Sequence, residues 1–406
     1  MNTLIKMAWR NIWRNKKRTI LTMLSIYLAV TFSLFTRSMQ VGSYANMIGN
    51  AVKLSTGYIQ IHKKGYWENK SINETFVESE KISKALKNDE NVTFIIPRLE
   101  SFALASSGKH TKGTLVIGTI PKVENEINKY SEKIIKGEFL VANDKAILVA
   151  EKLAEYLKVD VGDSLVLLGQ GYHGITAAGQ YYIKGILKLP IPQLNNQLVV
   201  LPLKESQYFY ASENRLTSIS IMLDDPELLD ETITKIKTGL DDSYEVMPWQ
   251  EMNKEMVQAI EADNVGGIIM LGILYLVIGF GVFGTVMMMT MERRKEFAVM
   301  ISIGMQKIKL VQVVAWETIL IGIVAIVVGI IVTYPILLYL SFHPIPLTGE
   351  VAKSIEMMGA EPILPFSVKP NIFITQTVSV IIISIVAVLY PLYVIFKLNV
   401  MKAMRS

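Results

Sequence analysis

Glu292-Arg293-Arg294-Lys295-Glu296-Phe297-Ala298-Val299-Met300-Ile301-Ser302-Ile303-Gly304-Met305 follows an apolar run of 25 residues, Gly266 to Thr290. On a helix, Phe297, Met300, Ile301 and Gly304 fall near one face, at spacings of three and four. Arg294 and Glu296 fall elsewhere around it, and Glu292 opens the segment. Gly304 can end the helix in the left-handed conformation. A short capped helix with an apolar knob and a charged rim suits a cleft on a soluble protein. A stop-transfer charge cluster followed by an interfacial helix accounts for the same residues.

Working outward, four apolar runs are long enough to cross about 30 Å of hydrocarbon: 19–36, 266–290, 318–340 and 372–396. The last three hold no Asp, Glu, Lys or Arg. Residues 1–18, 291–310 and 397–406 carry 14 of the 41 Lys/Arg and two of the 36 acids, leaving 27 Lys/Arg against 34 acids elsewhere. The positive-inside rule places these short basic flanks in the cytoplasm. Both termini are then cytoplasmic, and one large domain lies outside. A signal peptide is the rival reading of the N-terminus. The apolar stretch is longer than a typical signal core, and no clear A-x-A site follows Met39, which favours an uncleaved span.

Composition agrees. The chain has 406 residues, 51% of them hydrophobic and 19% charged, with mean hydropathy +0.35. That is too apolar for an ordinary soluble protein and too charged for a bare membrane bundle. The absence of cysteine excludes disulfides, thiolate metal sites and cysteine nucleophiles. His62, His110, His173 and His343 are scattered without HExxH spacing, so no catalytic zinc is expected. No nucleophile–base constellation is evident, and no catalytic residue is assigned.

Residues 2–18 read as an amphipathic helix. Leu4/Ile5, Ala8/Trp9 and Ile12/Trp13 recur on one side, with Lys6, Arg10 and Arg14 beside them, which suits a helix in the inner-leaflet interface. A plain basic topology anchor fits equally. Residues 42–263 alternate between strand-like and helix-like stretches. Examples are a half-buried strand at 57–62, a helix at 80–88, a strand at 146–150 running into a helix at 151–157, and an acidic helix at 226–238 that Gly239 can end. Residues 248–265 read as a helical stalk running into the second span. The loop between spans three and four is rich in Pro and is expected to pack on the base of the large domain. The expected fold is an α-helical membrane protein with four transmembrane helices and a large extracytoplasmic α+β domain. Its parts are an amphipathic helix (1–18), span one (19–41), the α+β domain with stalk (42–265), span two (266–290), a cytoplasmic segment (291–317), span three (318–340), an external loop (341–371), span four (372–396) and a tail (397–406).

Several segments together resemble the FtsX-like, MacB-type ABC transporter permeases, and within them the LolC/LolE branch. They are Ala8-Trp9-Arg10-Asn11-Ile12-Trp13-Arg14-Asn15-Lys16-Lys17-Arg18-Thr19, Ile147-Leu148-Val149-Ala150-Glu151-Lys152-Leu153-Ala154 with Val161-Gly162-Asp163, the segment from Glu292 to Gly304, and the tail from Pro391 to Ala403-Met404-Arg405. The strand Gly57-Tyr58-Ile59-Gln60-Ile61 and the chain length point to the LolC/LolE branch. The resemblance implies a MacB-like periplasmic core domain in a bacterial inner-membrane protein. It implies that Glu292, Arg293, Arg294, Glu296, Phe297, Met300, Ile301 and Gly304 meet a cytoplasmic ABC ATPase, present in two copies. No G-x-x-x-x-G-K-[ST] occurs, since Ala103 stands where Gly108-Lys109 needs its first Gly, so ATP and Mg belong on that separate ATPase and this chain carries no cofactor of its own. A second permease subunit, identical or homologous, is also implied, with membrane lipids around it and no nucleic acid.

For the LolC/LolE branch the implied substrate is a lipoprotein, handed to a periplasmic chaperone. Phe32, Phe35 and Met39 on span one and Ile268, Leu271 and Tyr275 on span two are then candidates to line an acyl-chain cavity. Facing lipid or other helices is the competing role for each. Gly272, Gly279, Gly281, Gly284, Gly322 and Gly329 permit close helix contact, either between subunits or within one chain. Arg37 is expected to reach headgroups, and Glu317 to pair with a nearby base. MacB-like efflux of peptides or small molecules, and an FtsX-like scaffold that activates a wall hydrolase, stand as alternatives to lipoprotein release.

Overall fold

The computed structural model describes residues 3–14, 16–87, 89–357 and 361–405. Met1, Asn2, Asn15, Asn88 and Ser406 therefore lie outside the described residues, as do Met358, Gly359 and Ala360. The chain forms two compact units: Met1–Ala45, Gln258–Pro346 and Ile363–Ser406 make the first, and Asn46–Val257 with Leu347–Pro362 the second.

The first unit holds the apolar helices. Lys16–Thr56, Lys254–Glu292, Lys307–Phe342 and Pro370–Phe396 are each long and apolar enough to cross a membrane. Leu34 of span one, Val286 of span two, Ile321 of span three and Val380 of span four belong to one buried cluster. Lipid tails are as apolar as leucine, so such contacts hold by close packing and not by escape from water. Gly329 illustrates this, since a methyl group there would lie 3.1 Å from Val30 Cγ1. Only 11% of the most apolar window of span two is buried, against 39% for span one. Span two thus leaves most of its apolar surface uncovered in the single chain. The N-terminal helix, Thr3–Arg14, buries Ala8 and Ile12. It exposes Trp9 and Trp13, which meet edge-on at 6.2 Å.

The second unit is an α+β domain around a ten-stranded mixed sheet. Its strands are β1 (Ile59–Lys63), β2 (Val92–Ser107), β3 (His110–Thr119), β4 (Ile134–Gly137), β5 (Ala146–Ala150), β6 (Ser164–Gln170), β7 (Thr176–Leu187), β8 (Leu198–Pro202), β9 (Ser218–Leu223) and β10 (Tyr244–Pro248). They run in the order β10-β1-β9-β2-β3-β8-β5-β7-β4, with β6 pairing β2 and β7. The β3–β8 and β5–β7 pairs are parallel. The β2–β3 hairpin is far longer than the apolar stretches suggest, with ten register pairs from Arg98↔Thr119 to Ser107↔His110. It turns at Gly108, where φ is +56°.

Strand β1 is covered on both faces, not half-exposed as its alternation suggests. Ile59 and Ile61 enter an apolar core with Ile219 and Ile221. On the opposite face Gln60 and His62 are also buried, and Gln60 Nε2 donates to Ser220 Oγ at 3.2 Å. The chain leaves span one through a π-helical turn, Val52–Thr56, and enters β1 at Gly57. It leaves β10 through a short helix, Trp249–Met252, and the span-two helix starts at Lys254. β1 and β10 are antiparallel neighbours, and Trp249 N donates to Tyr58 O at 2.9 Å. The loop between spans three and four contributes a nine-residue helix, Gly349–Met357. Its Glu361 accepts from Asn46 and Asn50 at 3.1 and 3.3 Å.

Candidate coupling site

The span-two helix ends at Glu292, and a new helix runs from Arg294 to Ser302. Arg293 is the joint, with φ −91° and ψ 8°. Its side chain is buried. Nη1 donates to both carboxylate oxygens of Glu317, at 3.0 and 2.9 Å. Nε donates to Glu296 at 3.3 Å, and the guanidinium sits 5.1 Å from the Phe297 ring centre. A buried charge needs such partners, because leaving water is costly unless hydrogen bonds replace it. Glu317, on the span-three helix, thus finds its base in Arg293.

The short helix ends in a Schellman motif. Met305 N donates to Met300 O and Gly304 N to Ile301 O, both at 3.0 Å, and Gly304 has φ +107°. The two inner and outer carbonyls of the last turn are thereby satisfied.

The apolar face that the spacing picks out is turned into the chain. Phe297 is 1% exposed and packs with Ala298, Leu310, Val314, Ile395 and Leu398; Met300 and Ile301 pack against the same cluster. Arg294 is half-buried, while Glu292 and Glu296 are exposed. Outward instead stand Val299, 46% exposed, and Ile303, 82% exposed, four residues apart and one turn beyond exposed Lys295. Periodicity could identify an apolar face but not what covers it. Arg14 pairs with Glu296 and Arg18 with Glu292, so the N-terminal segment brackets the joint. On the tail side, Lys307 Nζ donates to Leu398 O at 2.9 Å.

The six cavity candidates do not share one surface in the single chain. Phe32 and Ile268 are exposed, and Leu271 is buried. Phe35, Met39 and Tyr275 pack into the helix cluster. Phe35 meets Phe366 edge-on at 6.1 Å, and the Tyr275 hydroxyl donates to Gln376. Arg37, expected at headgroups, donates to Gln40 and to Asn264 of span two, each at 2.7 Å.

A second polar centre, not foreseen, lies in the α+β domain. Arg98 of β2 is buried and donates to Glu124 Oε1 at 2.8 Å and to the Ser55 carbonyl of the π-turn. Thr119 donates to the other Glu124 oxygen at 2.7 Å. Burial works against the Arg98 charge, but Glu124 and Glu100 outweigh it and raise its pKa. Burial also raises the Glu100 carboxyl, against the pull of Arg98 and Lys70. The only hint in the sequence is a lone Arg inside the apolar stretch Ile95-Ile96-Pro97-Arg98-Leu99.

Two family models cover almost the whole chain. The MacB-like periplasmic core domain matches residues 19–238, and the FtsX-like permease C-terminal model matches residues 268–400. The lipoprotein-releasing system transmembrane protein LolC of Neisseria meningitidis is 22% identical over 305 residues, 72% of this chain and 71% of the relative. LolE of Haemophilus influenzae is 21% identical over 343 residues, 82% and 81% of the two chains. An ABC transporter permease of Methanocaldococcus jannaschii is 20% identical over 341 residues, 82% of each chain. Among solved structures, the extracellular domain of the transporter YknZ from Gram-positive bacteria is similar at 15% identity and a TM-score of 0.33, covering 47% of this chain and 98% of that one. The periplasmic region of MacB from Actinobacillus actinomycetemcomitans is similar at 10% identity and a TM-score of 0.35, covering 49% and 91%. With its four apolar helices and its α+β domain, the chain belongs to the FtsX-like, MacB-type family of ABC transporter permeases.

Proposed function

We propose that this permease takes up the motion of a separate cytoplasmic ABC ATPase at the helix Arg294–Ser302 and carries it to a periplasmic α+β domain, releasing lipoproteins from the inner membrane. The observation that carries this reading is the joint at Arg293. The short helix is fixed to span three by the Arg293–Glu317 pair and continues the chain of span two, while Val299 and Ile303 remain free for a partner. A push on that outward face reaches two spans at once. Span two is one unbroken helix from Lys254 to Glu292, so displacement is carried along its own length. Its domain end leads into β10, the neighbour of the strand that follows span one.

In this reading both termini are cytoplasmic, and two permease copies, identical or homologous, work with two ATPases that hold ATP and Mg. Lipoprotein as substrate is supported by the LolC and LolE relatives. Drawing an acyl chain out of a bilayer costs about 0.8 kcal/mol per CH₂, which is work an ATPase can supply.

The test is a pull-down of the detergent-solubilised protein from its own cells, with co-purifying proteins identified. An ATPase together with bound lipoprotein supports release. An ATPase with an adaptor, or with a wall hydrolase, moves the function to efflux or to hydrolase activation. Absence of any ATPase overturns the coupling reading.

A further inference from the structure

We propose that five side chains near the domain-side ends of spans one and two form a latch that keeps these two helices together as one moving body. Arg37, Gln40 and Tyr44 lie on successive turns of span one, and Asp263 and Asn264 face them from span two. Arg37 Nη1 donates to Gln40 Oε1 and to Asn264 Oδ1, both at 2.7 Å. Gln40 Nε2 donates to the Asp263 carbonyl at 3.1 Å and to Asp263 Oδ2 at 3.2 Å. The Tyr44 hydroxyl donates to the same Oδ2 at 2.6 Å.

The Gln40 amide is a relay. Its oxygen faces a cation and its nitrogen faces a carboxylate, so one side chain joins opposite charges held on different spans. An amide suits this place because it offers both a donor and an acceptor. Gly267 makes the room for it. A methyl group there would lie 2.1 Å from Gln40 Nε2, and its three nearest atoms all belong to the Gln40 amide.

Polar bonds matter here because packing alone gives little reason for span two to stay with span one. Lipid tails replace apolar helix contacts at little cost, and span two is sparsely buried in the chain. A parted latch instead gives up hydrogen bonds in which Arg37 and Asp263 carry the charge, and such bonds are stronger than neutral ones. The helices therefore move as a pair while the latch holds. The transport cycle invoked here rests on the proposed function, whereas the latch can be read without it.

The experiment uses the full chain, whose lack of cysteine makes Ala45→Cys and Val265→Cys its two spin-label sites, with labelled chain diluted in unlabelled chain so that the distance within one copy is read. Distances are measured by pulsed electron resonance in lipid nanodiscs, with the protein alone and with its ATPase in nucleotide-free and ATP-trapped states. A single narrow distance, unshifted by ATP, is expected. Gly267→Ala should broaden it by displacing the amide without disturbing the helix backbone, and Asp263→Ala should broaden it further. A distance that shifts on ATP trapping with the latch intact overturns the proposal. So does a distribution left equally narrow by both substitutions. If no ATPase binds, the proposed function fails, and the comparison with Gly267→Ala and Asp263→Ala in the protein alone still decides the latch.

Discussion

Arg293 and Glu317 are buried together, one guanidinium nitrogen serving both carboxylate oxygens at 3.0 and 2.9 Å. Removing one partner leaves the other charge buried and unpaired, which costs about 3–5 kcal/mol. Arg293→Ala and Glu317→Ala should therefore each lower the thermal unfolding midpoint in detergent strongly. The double variant Arg293→Met with Glu317→Leu should recover most of the loss, since apolar replacement of a buried pair is often close to neutral. Three equal midpoints would show that the pair is not what holds the joint.

Phe297 and Ile303 should separate folding from docking. Phe297→Ala opens a cavity in a closed cluster and should cost about 3–5 kcal/mol. Ile303→Asp changes an exposed side chain and should stay within about 0.5 kcal/mol of the parent protein. Under the coupling proposal the same Ile303→Asp should weaken ATPase binding at least about tenfold, or roughly 1.4 kcal/mol. Thermal melts and an ATPase titration on the immobilised permease measure the two effects. Parent-like ATPase affinity in Ile303→Asp would move the docking surface elsewhere.

These two residues also mark where sequence reasoning reaches and where it stops. Hydrophobicity over four long runs and the basic flanks are local properties, and they locate the apolar helices. The strand Ala146–Ala150 and the helix Glu151–Leu157 are equally local, as is the left-handed Gly304. The inward turn of Phe297 depends on Leu310 and Ile395, which are near it only after folding. Arg37 finds Asn264 and Arg98 finds Glu124 for the same reason. The length of β2 is set by its ladder with β3, which carries Glu100 and Ser101 through a stretch whose residue types alone do not announce a strand.

His62 makes the α+β domain sensitive to acid. Its side chain is 0% exposed and stacks on Trp67 at 6.1 Å between ring centres. Burial holds its pKa down at about 4, against an ordinary value of 6.5. Lys70 acts in the same direction, while the Lys63 carbonyl and Glu68 act against it. Between these two values the unfolded chain binds a proton that the folded chain refuses, so stability rises with pH across the window. The domain should keep its full stability above about pH 6.5 and lose on the order of 3 kcal/mol as pH falls to about 4. His62→Gln should flatten that dependence. Hydrogen exchange along Ile59–Lys63, corrected for intrinsic rates, measures it, and an unchanged slope in His62→Gln would assign the acid sensitivity to other groups.

Gly57 closes the turn through which span one reaches β1, and it should tolerate no side chain. Its φ of +69° with ψ of 177° is a combination that essentially only glycine adopts. Its N–H donates to Val52 O at 2.8 Å and completes the π-turn. A methyl group would lie 2.8 Å from Ile221 N and 2.9 Å from Ile221 O. Those are backbone atoms of β9, locked in register with β1, so they cannot yield as a flexible side chain would. Backbone strain and overpacking together should make Gly57→Ala cost about 3 kcal/mol or more. Gly49 is the matching control, eight residues earlier in the span-one helix, where an added methyl meets nothing within 4 Å. There the gain in helix propensity is up to about 1 kcal/mol, so Gly49→Ala should raise the unfolding midpoint while Gly57→Ala lowers it. Equal shifts of the same sign in the two variants would mean that the turn is free to rearrange, and that the passage from span one to β1 is less rigid than its geometry implies.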